Sequence, residues 1–145
     1  MNDINSFEGM HRFLSNFWPC QIYWSGMLWS STEHAYQSAK TNSLNERRMI
    51  QNAMSPNQAK KLGRKVTMRA DWDQVKLTIM RQLLELKFAP GSQLAEKLIA
   101  TGDAQLIEGN WWGDTYWGVC RGIGHNHLGK LLMEVRTELR KEHHA

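Results

Sequence analysis

The chain is short of thiols, of long apolar runs and of low-complexity sequence, and each shortage narrows what it can be. Two cysteines, Cys20 and Cys120, cannot build a disulfide framework. The longest apolar runs span only a few residues, far below the roughly 20 needed to cross a bilayer, so no membrane partner is expected. The opening MNDINSFEGM has neither a basic n-region nor an apolar h-region, so no secretory signal is expected. Together with the cysteine count this points to a reducing cytoplasm. No internal repeat or low-complexity linker interrupts the 145 residues, a length that fits one compact domain over 1–145. With 41% apolar and 22% charged residues, the composition is that of a folded chain and not of a disordered or fibrous one.

What is present is unevenly placed. The net charge is +4, but residues 40–81 alone hold ten Lys or Arg against Glu46, Asp71 and Asp73, a local excess of +7. An anionic partner should meet that middle third, read either as a phosphate or nucleic-acid face or as a pair of solvated helices with ordinary lysines. Seven tryptophans, at 18, 24, 29, 72, 111, 112 and 117, are many for a small chain. Some must fill the core, and the number also suits a pocket that stacks a flat ring.

The pattern along the chain is α+β, mostly helical with a small antiparallel sheet. Residues 12–30 read as short strands, with Ser25-Gly26 as a two-residue hairpin turn between Ile22-Tyr23-Trp24 and Met27-Leu28-Trp29. Ser30, three residues before Glu33, has capping-box spacing and opens a helix. Further helices are expected over about 45–54, from Ser55-Pro56 to Gly63, from Asp71 to about Phe88, from Ser92 to near Gly102, and from near Asn126 onward. In the helix after Asp71, Trp72, Val75, Ile79, Leu83 and Leu86 form the apolar stripe; the last helix should bury Leu128, Leu131, Leu132, Val135 and Leu139. Gln105–Glu108 and Tyr116–Val119 are candidate strands.

Several residues admit both a chemical and a structural reading. Cys120, His125 and His127 lie close together, but their spacing matches no usual zinc pair and no fourth ligand offers itself, so no metal site is expected. The run GIGHNHLGK could bring backbone N–H groups up to an anion at a helix start, although it is neither a Walker loop nor a dinucleotide fingerprint. Lys130 falls about 200° from Leu128 on a helical projection, whereas the apolar residues fall within about 60°. It is either an exposed lysine or, in a water-poor pocket, an amine able to attack a sugar carbon. Glu33 shares a helix face with Tyr36, Gln37 and Lys40, so it is either a capping residue or a general acid or base. Asp114, amid Trp111, Trp112 and Trp117, either turns its loop or faces a stacked base.

The strings RFLSNFWP (12–19), SSTEHAYQSAK (30–40), AKKLGRKV (59–66), RADWD (69–73), TGDAQLIEG (101–109), DTYWG (114–118) and NHLGKLLMEVR (126–136) are collinear over about residues 11–140. In these the chain resembles the YbiA-type NADAR family. The resemblance implies that family's α+β single-domain fold and its activity, hydrolysis of an N-glycosidic bond between a ribose and an amino-substituted base. It carries an acidic catalytic residue onto Glu33, although Thr32 stands where the family usually has Ser. It carries stacking tryptophans onto Trp72 and Trp117, the aspartate onto Asp114, and the N-x-L-G-K string onto Asn126 and Lys130, making Lys130 the expected nucleophile. Ala35-Tyr36 stands where an aromatic pair is common, so one pocket wall is expected to be smaller. Val119-Cys120-Arg121 replaces a shorter glycine-rich stretch.

The expected mechanism has neutral Lys130 adding to C1′, ring opening to a Schiff base, and hydrolysis by water while Glu33 shuttles protons. Trp72 and Trp117 stack the base, with Tyr36 and Asn126 beside it. Arg12, Arg47, Arg48 and Lys65 are candidates for the phosphate. This chemistry requires no cofactor. The expected substrate is a small ribosyl phosphate, first a phosphoribosyl aminopyrimidine intermediate of riboflavin synthesis, which a short chain without an appended DNA-binding segment favours. The +7 middle third favours the alternative, removal of ADP-ribose from guanine in DNA. A third reading is a non-enzymatic ADP-ribose-binding module, against which the retention of both Glu33 and Lys130 counts.

Overall fold

A computed structural model describes residues 2–143; residues 1, 144 and 145 of the expected 1–145 domain lie outside the described residues. Its backbone groups into two compact units, Asn16–Lys87 and Met1–Ser15 with Phe88–Ala145. The fold class is α+β, as the sequence pattern indicated.

In the Asn16–Lys87 unit, β1 (Pro19–Trp24) and β2 (Met27–Ser31) form the expected antiparallel hairpin. Ser25 and Gly26 have φ of 54° and 77°, the left-handed pair that matches strand twist in a two-residue turn. Pairing of Ile22 with Trp29 buries one face, while Tyr23 and Leu28 pair on the exposed face. Four helices follow: α1 (Thr32–Ala39), α2 (Leu44–Gln51), α3 (Pro56–Gly63) and α4 (Trp72–Lys87). Ser31, Ser43 and Ser55 cap the first three, each hydroxyl accepting the N–H three residues on, worth about 1 kcal/mol apiece. The cap of α1 is therefore Ser31 and not Ser30, which stays in the strand with its side chain toward solvent. The buried stripe of α4 is rotated toward Met80, Leu84 and Lys87, leaving Val75 half-buried and Leu86 exposed on its margin.

In the other unit, residues 9–14 form a 3-10 helix, so the strand expectation fails at its start. Ile4 pairs with the 105–107 segment through Ile4 N to Gln105 O and Ile107 N to Ile4 O, both 2.9 Å. Then come α5 (Gln93–Ala100), β3 (Gly109–Asn110), β4 (Val119–Cys120) and α6 (His127–His143). β3 and β4 pair in parallel over two residues each, much shorter than the expected strands. The reason is local: the Tyr116 and Trp117 N–H groups donate to the Asp114 carboxylate instead of to a neighbouring strand. Leu128, Leu132, Val135 and Leu139 are buried as expected, while Leu131 is half-buried.

Lys87, at the end of α4, is only 3% exposed. Burial pulls its pKa down from 10.5 to about 7, opposed by the Cys20 thiol, whose own pKa burial raises. Between pH 7 and 10.5 the unfolded chain therefore binds the proton that the folded chain releases, and this group makes stability rise with pH, by at most about 1.4 kcal/mol per pH unit. Lys87→Met should flatten that rise in denaturant titrations at neutral and alkaline pH. Equal pH slopes for variant and native protein would show that the ammonium keeps its ordinary proton affinity inside the fold.

Candidate functional site

The first group of chemically capable residues lies on α1, and the helix is unusual in being buried along its whole length, Thr32 to Ala39. Burying polar side chains is costly unless they are hydrogen-bonded, and here the bonds are made within the unit. The Glu33 N–H donates to Asn16 O at 3.1 Å. The His34 ring lies between Ser31 Oγ at 2.6 Å and Ala53 O at 3.0 Å. Gln37 Nε2 donates to Glu33 Oε1 at 2.8 Å, one turn along the same face. This bond fixes the carboxylate of a residue that is 7% exposed. Gln37 Oε1 is buried without a hydrogen-bond partner.

Tyr36 packs on Trp72 with ring centroids 5.2 Å apart, and the Lys40 ammonium sits 5.7 Å from the Tyr36 centroid. Glu33, Tyr36, Gln37 and Lys40 thus form the face that their spacing predicts, with Trp72, itself 5% exposed, set against it. Burial lowers the pKa of the half-buried Lys40; Glu33 opposes this, and Arg64, Lys60 and Lys76 add to it. Behind the face, the backbone of Gly63 in α3 is so close to Gln37 that a Cβ would overlap the carboxamide.

The second group lies in residues 108–130 of the other unit. Asp114 Oδ1 accepts from Tyr116 N at 3.1 Å and Trp117 N at 2.9 Å, and Asn110 clamps the Asp114 backbone through both ends of its amide. Of its two readings, the turn-forming one has its geometry in place. Half-buried Trp117 meets Tyr116 edge-on at 4.8 Å and His127 at 6.3 Å; His127 also stacks on His125 at 5.4 Å.

The start of α6 does not match the anion-binding expectation for GIGHNHLGK. The N–H groups of His125, Asn126, His127 and Leu128 donate to the carbonyls of Thr115, Gly118, Tyr116 and Trp117. Loop carbonyls have taken the donors that an anion would need. Among the described residues, no group of three His, Cys, Asp or Glu is placed to hold a metal ion.

This fold and this ordering of residues decide the relationship, because the profile of the NADAR domain matches residues 5–140. The chain belongs to the NADAR domain family. An N-glycosidase of Nostoc punctiforme is 40% identical over 132 residues, covering 87% of this chain and 84% of that protein. The N-glycosidase YbiA of Escherichia coli is 38% identical over 130 residues, covering 86% of this chain and 79% of YbiA. The solution structure of E. coli YbiA matches with a TM-score of 0.84 at 35% identity over 98% of this chain and 85% of that one. A riboflavin biosynthesis protein of Vibrio vulnificus is 39% identical over 90% of this chain, but the chain spans only 36% of that relative's length.

On this NADAR scaffold, the structure places Glu33, Tyr36 and Trp72 in one cluster and Asp114, Trp117 and Asn126 in another. Lys130 points off the buried stripe as predicted, but its side chain is exposed and not enclosed. Arg12 is exposed in the 3-10 helix, and Arg48 and Lys65 are exposed as well. Arg47 is engaged otherwise, donating to Thr41 O and Ser25 Oγ and lying over the Trp24 ring. Asn126 has both ends of its amide on backbone, accepting from Glu108 N and donating to Leu106 O at 3.0 Å each, with φ of 53°. Asn110 carries no signal in local spacing and is absent from the sequence expectations, whereas His127 enters them only beside Cys120 and His125 and Gly63 only as a helix stop.

Two measurements check these placements. Gly63→Ala should push Gln37 off Glu33 and lower stability by about 1–3 kcal/mol in thermal unfolding; an unchanged melting temperature would mean that Gln37 has room to move. Asn126→Ala should lose about 2 kcal/mol or more through its two backbone bonds and the left-handed conformation, with Asn126→Gly intermediate. If instead Asn126→Ala melts like the native protein and only raises KM, its amide serves the substrate.

Proposed function

We propose that this chain is an N-glycosidase that hydrolyses the bond between a phosphorylated ribose and an amino-substituted base, with phosphoribosyl aminopyrimidines of riboflavin synthesis as first choice. Family membership supports the reaction class, together with two relatives named N-glycosidase that align over most of their own length. The name of the Vibrio relative supports the substrate class. The observation that carries the reading is the buried Glu33 carboxylate, oriented by Gln37 on a face with Tyr36, Lys40 and Trp72. A binding module has no need of a carboxylate buried at such cost.

In the proposed reaction a neutral lysine amine attacks C1′. The C1′–Nζ bond forms as the C1′–N bond to the base breaks, and Glu33 gives the departing base its proton. The sugar ring opens to a Schiff base with a proton on the ring oxygen. Water, deprotonated by Glu33, adds to C1′, and the carbinolamine collapses as Glu33 returns the proton to Nζ, releasing the phosphorylated ribose and the free lysine. Trp72 and Trp117 hold the base by stacking, at roughly 1–3 kcal/mol per ring. Asp114 acts through Trp117 by fixing the turn that presents it. We further propose that residues 1–145 act as one domain in this reaction.

The family resemblance assigns the amine to Lys130. A second reading assigns it to Lys40, favoured by its place on the face of Glu33 and by the burial that lowers its pKa. Borohydride added during turnover, followed by peptide mapping, should find the sugar adduct on Lys130 in the first case and on Lys40 in the second. Substituting the adducted lysine by Ala should abolish trapping, and Glu33→Gln should slow turnover by about 10²- to 10⁴-fold. No adduct, with activity retained in both lysine variants, would replace the Schiff base by direct water attack assisted by Glu33. For ADP-ribosylated DNA as substrate, affinity should fall steeply with added salt, whereas a single phosphomonoester is less sensitive.

A further inference from the structure

The basic middle third of the chain is sorted by the fold into cations already engaged and cations that converge. Arg47 is bound to Thr41 O and Ser25 Oγ, Arg69 is paired with Asp71 at 2.6 Å, and Arg81 lies 3.8 Å from Glu85. Lys60 and Arg64 form no ion pair among the described residues. Both lie one turn apart at the end of α3, and α3 and α4 each pack on α1. Arg64 follows Gly63, whose backbone abuts Gln37, one turn before Lys40. Lys76 lies one turn after Trp72, whose ring meets Tyr36 beneath Lys40. Two helices packed on α1 thus bring Lys60, Arg64 and Lys76 near Lys40, and all three act electrostatically on it.

The carboxylates within reach are fewer. Glu33 acts on Lys40 but already accepts from Gln37, and Asp73 pairs with Lys76 at 3.2 Å. Cations in the last turn of a helix complement its dipole, which accounts for Lys60. That effect does not account for Lys76, near the start of α4, or for the gathering of all three around a fourth ammonium. Like charges brought together raise one another's energy, and a multiply charged anion offsets that cost. The Tyr36 and Trp72 rings, packed at a tilt of 54°, adjoin the cluster.

We propose that Lys60, Arg64 and Lys76 form the seat for the phosphate of the ribosyl substrate, so that this surface selects phosphorylated sugars over free ones. The proposal rests on the N-glycosidase reading for the identity of the sugar, but phosphate binding is measurable without turnover. Arg64 supplies planar paired donors, and Lys60 and Lys76 supply compact charge.

Calorimetric titration of the whole chain with ribose, ribose 5-phosphate and ADP-ribose tests it. The native protein should prefer the phosphorylated sugar by about tenfold or more, a preference that added salt weakens and that K60A/R64A removes. The charge-keeping variant K60R/R64K should retain it, which separates loss of charge from loss of fold. Tighter binding of ADP-ribose than of ribose 5-phosphate would identify a pyrophosphate as the seated group, and the reverse a monoester. No preference in the native protein, or full preference in K60A/R64A, overturns the seat. Phosphate preference without cleavage of any N-glycoside removes the glycosidase reading and leaves the seat standing; equal cleavage of phosphorylated and unphosphorylated substrates does the opposite.

Discussion

The bond from Gln37 to Glu33 depends on a helix that has no solvent face. In most surface helices one stripe is buried and the polar residues escape to water. In α1 Thr32, Glu33, His34, Gln37 and Ser38 are all inside, so their polar atoms can be satisfied only from within, and among the described residues Thr32 Oγ1 and Gln37 Oε1 are not. Ser31 supplies a partner at the N-terminus, Ala53 O at the far ring nitrogen of His34, and Ser38 Oγ closes back on Ala35 O at 2.7 Å. The same constraints set the surrounding elements. Strand β2 must end at Ser31 for the cap to form, and the carbonyl of Lys40 accepts from Arg69 N at 2.7 Å. That contact starts the approach to α4 and brings Trp72 against Tyr36. Bonding most of a buried polar helix and positioning an aromatic wall are one requirement here.

Local signals carried the elements whose causes are local. The Ser-Gly turn, the serine caps of α3 and α5, Pro56 at a helix start and the helical spacing of Glu33, Tyr36, Gln37 and Lys40 were all legible, because each depends on neighbours within a few residues. Burial of α1 was not legible. A helix enclosed on every side leaves no apolar stripe, so its composition resembles that of a surface helix. The segment from 108 to 128 departs from its sequence pattern for a related reason. Asn110, Asp114 and Asn126 bond to backbone up to 20 residues away, and their side chains replace the ladder that alternating apolar residues suggested. The blocked start of α6 has the same origin, since the carbonyls that occupy it arrive from a loop ten residues earlier.

Periodicity shows which face a lysine occupies and not how dry that face is, and the two candidate amines differ in that respect. An ordinary lysine, with a pKa near 10.4, is neutral in only about one molecule in 10³ at pH 7. Lys130 is exposed. Lys40 is half-buried among three further cations, and both effects favour the amine, with Glu33 opposing. A phosphate settling on Lys60, Arg64 and Lys76 cancels the contribution of those cations and returns proton affinity to Lys40. Anion binding and deprotonation of Lys40 therefore work against each other unless the sugar and base also displace water from Tyr36 and Trp72. If they do not, Lys40 stays an ammonium in the complex, a fourth cation for the phosphate, and the attacking amine has to be another residue.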